Sequence, residues 1–423
     1  MGRRNVFVIG LDESNLRTLE AVPGAKDLDF RGLLTIEDIQ VGEIPIAELL
    51  ERAAAELDAF EGEIDAVIGY WDFPVTAMVP LLCRRFGLPS APLEAVVKCE
   101  HKYWSRLEQQ KVITGLPKFA LVDLDDAGPP AGLDYPMWLK PVKSFSSELA
   151  FHVSDHREFT DALAEIRAGV SRVGKPFEFV LEQLDLPPEI ADAGGQACLA
   201  EEAMSGQQAA TEGYVYQGEV TVYGALDSLN YPGTASFLRH QYPSQLPGPL
   251  VERMFDMSER VIKQVGLDNS TFSIEFFCDT GNDDVRLLEI NARHSQSHAD
   301  LFLAVDGVTN HHCMVRLGLG EDPKLVKGDG DAAIAAKCYY RRFSDAVVRR
   351  VPTAEEIDEL RRELPGVTVD VVPEEGQRLS DMPAQDSYSY ELADVFVRAG
   401  SQAELEELYQ RAVESLRFEF EED

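Results

Sequence analysis

A multidomain chain of mixed α/β and α+β character is the architecture this sequence predicts, on three observations. Strand-like and helix-like runs alternate from residue 4 to about 92, the pattern of a small parallel sheet carrying helices. From about residue 331 to the end the order is strand, helix, strand, strand and helix, which is an α+β arrangement. At 423 residues the chain is also too long for one ordinary core and divides into roughly two to four domains.

Taken in order, residues 6–9 are the first strand. Pro45 opens an amphipathic helix over 46–60. Residues 64–70 form a strand, and 75–86 a helix ended by Gly87 and Pro89. The turn after the first strand has no G-x-G-x-x-G, so no dinucleotide site is expected there. A helix is predicted from residue 94 to about 112, carrying Lys98, Lys102, Arg106 and Lys111. Next come a strand at 119–122, a linker rich in Asp, Gly and Pro, and the strand Met137-Trp138-Leu139-Lys140-Pro141. Pro141 belongs at that strand's end, because proline cannot donate to a ladder.

After a serine-containing segment at 143–148, a short strand is predicted at 149–153, and Asp155 caps a helix running to about residue 170. Strands follow at 179–183 and 197–203, then a long β region over 211–229 that turns at Gln217-Gly218. Residues 250–265 and 299–317 read as helices, the second containing His311 and His312. The closing module has helices at 354–364 and 403–418 and strands at 367–372 and 393–398, before an acidic tail.

Charge and cysteine usage narrow the function. With 39 Lys and Arg against 74 Asp and Glu, the formal charge is −35, which argues against nucleic-acid backbones and anionic membranes as partners. A solvated acidic surface accounts for the excess, and adaptation to high salt is a second cause. No run of 18 apolar residues occurs, so no transmembrane helix is expected, and the N-terminus reads as a strand rather than a signal peptide. The six cysteines are scattered without a C-x-x-C pair; reduced, mostly buried thiols in a cytoplasmic protein are the expectation.

The chemistry concentrates in Ser273-Ile274-Glu275-Phe276-Phe277, a polar turn, and Arg286-Leu287-Leu288-Glu289-Ile290-Asn291-Ala292-Arg293. Two β-rich runs around Asp-Thr-Gly-Asn-Asp read as a hairpin. Period-two alternation then places Glu289, Asn291 and Arg293 on one face, with Glu275 on the partner strand completing the cluster. Oxygen donors of this kind suit Mg²⁺ or Mn²⁺ rather than zinc, and Mg²⁺ commonly sits between carboxylates and nucleotide phosphates. A salt-bridged structural hairpin is the competing reading. There is no P-loop and no kinase catalytic-loop motif. Lys140, set among Trp138, Leu139 and Pro141, either meets an anion or snorkels to solvent.

In order and spacing these residues resemble the ATP-grasp superfamily over most of the chain, most nearly its carboxylate-amine ligases and its biotin-carboxylase-like members. The resemblance implies an N-terminal α/β domain at 1–93, an ATP-grasp region at 94–330 with a mobile lid at about 133–204, and a C-terminal α+β module at 331–423, the C-terminal part of the fold supplying the metal site. It implies ATP as substrate with Mg²⁺ or Mn²⁺. Lys102 and Lys140 would meet the phosphates, and backbone groups from Glu201 and Glu202 to Met204 would read adenine. Gln208, where the family usually has an acid, would reach ribose. Glu275, Glu289 and Asn291 would hold the metal, and Arg293 would act on the reacting carboxylate or acyl phosphate.

Ser144, Ser146 and Ser147, with Phe145 among them, replace the glycines that cover the phosphates in many relatives. Arg239, His240, His294, Ser295 and Gln296 are candidates for the substrate pocket, the alternatives being a solvated loop for the first two and loop-stabilising hydrogen bonds for the others. His294 and His298 stand four apart but lack the glutamate of a zincin. Ser297 stands where biotin carboxylases carry the acid that deprotonates bicarbonate. The implied reaction is therefore ATP-dependent joining of a small-molecule carboxylate to an amine, an amino acid being one of them. Carboxylation and a non-catalytic ATP-binding protein are the alternatives, and a homodimer is compatible with the resemblance.

Overall fold

The computed structural model describes residues 2–125, 128–144, 148–382 and 389–421. Its first unit is a parallel sheet in the order β2-β1-β3, with β1 (Arg4–Ile9), β2 (Leu28–Leu33) and β3 (Ala66–Ile68). Helices α1 (Glu13–Glu20), α2 (Ile36–Gln40), α3 (Ile46–Asp58) and α4 (Val75–Phe86) connect and cover it. The parallel α/β expectation holds, although β2 carries too weak an apolar pattern (Leu28-Asp-Phe-Arg-Gly-Leu33) to stand out as a strand. Gly87, at φ 70°, ends α4 in the left-handed conformation that favours glycine.

The single helix expected over 94–112 is two, α5 (Leu93–Glu100) and α6 (Lys102–Gln109). His101 makes the break, its Nδ1 accepting the N–H of Trp104 at 3.2 Å as an N-cap. The backbone N–H of Lys102 instead donates to the carbonyl of Val142 at 2.8 Å. That bond fastens the start of α6 to the next unit.

The second unit is a four-stranded sheet in the order β4-β7-β5-β6, from β4 (Phe119–Val122), β5 (Met137–Pro141), β6 (Phe151–Val153) and β7 (Cys198–Glu202). Pro141 does end its strand. Asp155 caps α7 (His156–Gly169) through bonds from the N–H groups of Arg157 and Glu158. The strand expected at 179–183 is instead the end of a helix, α8 (Ser171–Leu181), followed by α9 (Pro188–Ala193). A short apolar run does not distinguish the two states; here Val173, Phe177, Val180 and Leu181 recur at helical spacing and join the core that contains Ile44, Ile46 and Phe73 of the first unit. Phe145, Ser146 and Ser147 lie outside the described residues.

The third unit is an eight-stranded sheet, β12-β11-β8-β9-β10-β13-β16-β15. It is built from β8 (Gln207–Tyr216), β9 (Glu219–Asn230), β10 (Phe237–Tyr242), β11 (Ser270–Asp279), β12 (Asp284–Asn291), β13 (Ile334–Arg342), β15 (Val367–Val371) and β16 (Tyr390–Ala399), while β14 (Val347–Arg350) pairs with β17 (Glu419–Glu421). Helix α10 (Gly248–Val265) covers one face with a core of Met254, Val261, Phe272 and Phe276. The other face packs on α11 (Ala299–Asp306) and α12 (His311–Gly318) through Tyr223, Tyr242, Leu301 and Phe302. These two were expected as one helix; Gly307, at φ 77°, separates them. Helices α13 (Ala354–Glu363) and α14 (Gln402–Ser415) pack on the C-terminal strands. Because β10 pairs with β13, one sheet runs through both the central and the C-terminal regions.

Candidate active site

Where the four-stranded sheet faces the eight-stranded sheet, a cavity of about 850 Å³ opens between them. The β11–β12 hairpin forms one wall. Glu275 and Glu289 are direct register partners, and the ladder slips by one residue immediately after Glu275. Glu289, Asn291 and Arg293 line the cavity beside Glu275, and their side chains meet Lys102, Glu275 and Asp72 in turn. The Asn291 amide donates to Glu275 Oε1 at 3.3 Å. Burial and then the charge of Glu289 push the Glu275 carboxyl up to about 6. Burial would raise Glu289 too, but Lys102 and Lys140 outweigh it and hold that carboxyl low.

Three lysines converge on this wall. Lys102, at the start of α6, places its ammonium 3.2 Å from Glu289 and donates to the Ser144 carbonyl at 2.9 Å. Lys140 on β5 lies 2.6 Å from Glu201 Oε2, while Arg106 Nε donates to Glu201 Oε1 at 2.6 Å. Burial works against charge on Glu201, yet the two cations together hold its carboxyl at about 2. Glu201 is thus a buried counter-ion that fixes Lys140, whereas the half-exposed Glu202 faces Arg286. The third cation, Lys143, was not singled out in the sequence and is paired with Glu100 at 3.1 Å. Glu202, Met204, Gln208, Phe277 and Leu288 line the end of the cavity beyond Lys140.

At the opposite end Arg293 is held by Asp72, which follows β3 of the first unit, through a two-point contact of 2.8 and 2.7 Å. Burial opposes the charge on Asp72, and Arg293 prevails, holding it below the ordinary carboxylate range. No sequence signal points to Asp72, because its partner lies 221 positions away.

Five expected substrate residues do not line the cavity. Arg239 and His240 sit on β10 rather than in a loop. Alternation turns Arg239 away, toward Glu406 of α14 at 3.0 Å. His240 bonds Ser228, which does line the cavity, through Nδ1 at 2.9 Å; burial, with His298, Lys337 and Arg341 near it, pulls its pKa well down and keeps the ring neutral. His294 is fully buried, bonded to Thr271 and packed on His311. The Ser295 N–H donates to Glu212, as do Tyr223, Asn310 and His298, so this segment is tied to a buried carboxylate. Gln296 begins a single 3₁₀ turn beside it and is also away from the wall. His311 and His312 are buried within α12, as the helical pattern implied.

Among the described residues no three His, Cys, Asp or Glu side chains gather as a metal centre. Two carboxylates and one amide, Glu275, Glu289 and Asn291, are the group that a hard cation could use. No helix among them is long and apolar enough to cross a membrane, and all six cysteines are free and buried.

Residues 133–299 match the family model described as the ATP-grasp domain. The whole chain shares its fold with solved structures of low identity. The L-amino acid ligase of Bacillus licheniformis is 15% identical with a TM-score of 0.74, covering 100% of both chains. The carboxyaminoimidazole ribonucleotide synthase of Aspergillus clavatus, complexed with ATP, is 13% identical with a TM-score of 0.68 over 98% of each chain. The biotin carboxylase of Campylobacter jejuni, in a β-γ-ATP complex, is 15% identical with a TM-score of 0.64, over 99% of this chain and 92% of that one. No curated protein sequence matches the chain.

Proposed function

We propose that this protein is an ADP-forming ligase that activates a small-molecule carboxylate with ATP and joins it to an amine, an amino acid being one substrate. The observation that carries the reading is the order of groups along one cavity: the Glu201–Lys140 pair, then Lys102 against the Glu275–Glu289–Asn291 wall, then Arg293 on Asp72. Adenine would lie by Glu202, Met204 and Gln208, with phosphates on Lys102 and Lys140. Burial first and the charge of Glu289 second raise the Glu275 carboxyl, a cost to its charged form that a bound hard cation would offset, so Glu275, Glu289 and Asn291 fit Mg²⁺ or Mn²⁺. Such an ion, when bound, neutralises phosphate charge.

The chain's own residues supply the rest. The substrate carboxylate oxygen attacks the terminal phosphorus, the bond to the bridging oxygen breaks, and ADP leaves with the electron pair. Arg293, held in a two-point grip, orients the carboxylate and then the acyl phosphate. The amine displaces phosphate to give the amide. Ser297, bonded to Ser295 at 2.8 Å, offers no carboxylate for bicarbonate deprotonation, which favours ligation over carboxylation. Full-length similarity to an L-amino acid ligase supports the same choice. Free, buried thiols, with no spanning helix among the described residues, fit a cytoplasmic enzyme.

The test is an ADP-release screen over carboxylates, amino acids included, with and without amines and bicarbonate. Release that needs both a carboxylate and an amine is the expected result. Bicarbonate-dependent release without an amine would turn the assignment to carboxylation, and no stimulated release with any combination would remove the ligase reading.

A further inference from the structure

Lys143 is an ammonium group with few commitments, set in the wall of the cavity. It is 4% exposed, a degree of burial that lysine tolerates only with an anionic partner. Among the described residues its one ion pair is with Glu100, also buried, at 3.1 Å. The angle at that distance makes no hydrogen bond, and Glu100 Oε2 has no other partner among the described residues. The rings of Phe73 and Phe177 hold the ammonium from two further sides, at 5.1 and 5.6 Å. Neither ring accepts a conventional hydrogen bond, so the three donors of the ammonium find no hydrogen-bond acceptor among the described residues. A buried ion pair of this kind is weak evidence for stability, since apolar residues of similar volume commonly serve as well. Its placement points to a ligand instead.

That placement is specific. Lys143 is one residue before Ser144, whose carbonyl receives the Lys102 ammonium, and one after Val142, whose N–H and carbonyl are bonded to Ala197 and Lys102. The backbone is therefore fixed on both sides of its Cα. Phe73, the ring nearest its ammonium, follows Asp72, the anchor of Arg293. Lys143 thus stands between Lys102 and the Arg293 end of the cavity, whereas Lys140 stands toward the Glu201 end. The charge relations agree, for Lys143 acts on Asp72 and Glu289 while Lys140 acts on Glu201 and Glu289.

We infer that Lys143 is a third phosphate-binding cation and that it takes the terminal, transferable phosphate of the nucleotide. The inference rests on reading the cavity as a nucleotide site. In this role its ammonium donates to the oxygens of the phosphoryl group as that group passes from ADP to the substrate carboxylate, and Glu100 holds the side chain in place beforehand.

Affinities of the wild-type protein and Lys143→Met for ADP and for the β,γ-imido analogue of ATP, both with Mg²⁺, test this by calorimetry. Loss of one charge-assisted contact to the last phosphate predicts about a tenfold or greater loss for the analogue and less than about threefold for ADP. Since Lys143→Met alone strands the Glu100 carboxylate, the double variant Lys143→Met with Glu100→Gln is measured beside it and shows the same selective loss. If the wild type binds both ligands and neither variant changes their ratio, Lys143 does not meet the terminal phosphate. If the wild type binds neither ligand, the nucleotide reading itself has failed, and the inference falls with it.

Discussion

Glu275 and Glu289 face each other across a hairpin as register partners, a pairing of like charges that a sheet does not favour. Their retention makes sense where a cation and phosphates meet them, and it marks Glu289 as the sharper test because it also touches Lys102. Glu289→Ala is expected to lower ADP release about 100-fold or more, on the scale of losing a metal or oxyanion partner, with unchanged circular dichroism. Near-wild-type turnover in that variant would remove the hairpin from the chemistry. The four hairpin residues were legible in the sequence because alternation alone puts three of them on one face. Asp72, Glu100 and Lys143 were not, because their importance comes from partners brought together by folding, across 221 positions in the case of Asp72. That His294 and Arg239 do not line the cavity was not legible for the same reason, since type and neighbourhood in sequence do not say which way a side chain turns.

Among the elements, β5 and β7 are joined to α6 by more than their ladders. Arg106 donates to Glu201, to Gln109 and to the carbonyls of Leu287 and Leu288, so one guanidinium ties α6, β7 and β12 together. Removing its carboxylate partner leaves Arg106 and Lys140 as buried, mutually repelling cations. Glu201→Gln is expected to destabilise the protein by roughly 3–5 kcal/mol at neutral pH, as for other broken buried pairs. The sign with pH follows from the folded-state value of about 2 against the ordinary 4.5. The contribution is fully present above about 4.5 and is lost as pH falls toward 2. Urea midpoints of wild type and variant should converge over that interval; a gap that stays constant down to pH 2 would contradict the assignment. Most elements were readable from periodicity and caps. Among the exceptions were runs whose state depends on contacts, such as strand β2, the helix end at 179–181 and strand β10, which is short, polar and recognisable only by the neighbours it pairs with.

Across the whole molecule, the eight-stranded sheet crosses the division that the sequence suggests near residue 331. Strand β10 is an interior strand only because β13 covers it. A chain ending at residue 330 would expose that edge, together with the face of α11 that packs on β13, and unpaired edges of this kind template association. Size-exclusion chromatography of the truncated chain should show aggregates. A monodisperse, folded monomer would show that strands β8 to β12 stand without the C-terminal region.

Helix α8 belongs by topology to the small sheet that covers the cavity, yet its apolar face is part of the N-terminal core. The cover is thus fastened on its outer side, and opening it by rotation would pull Phe177 and Val180 out of contact with Ile44, Ile46 and Phe73. For any ligand that needs the cover to open, the rate of exchange would then depend partly on the cohesion of that N-terminal core. Trimming Ile46, a member of that core, would then be expected to quicken ligand exit as well as to lower stability.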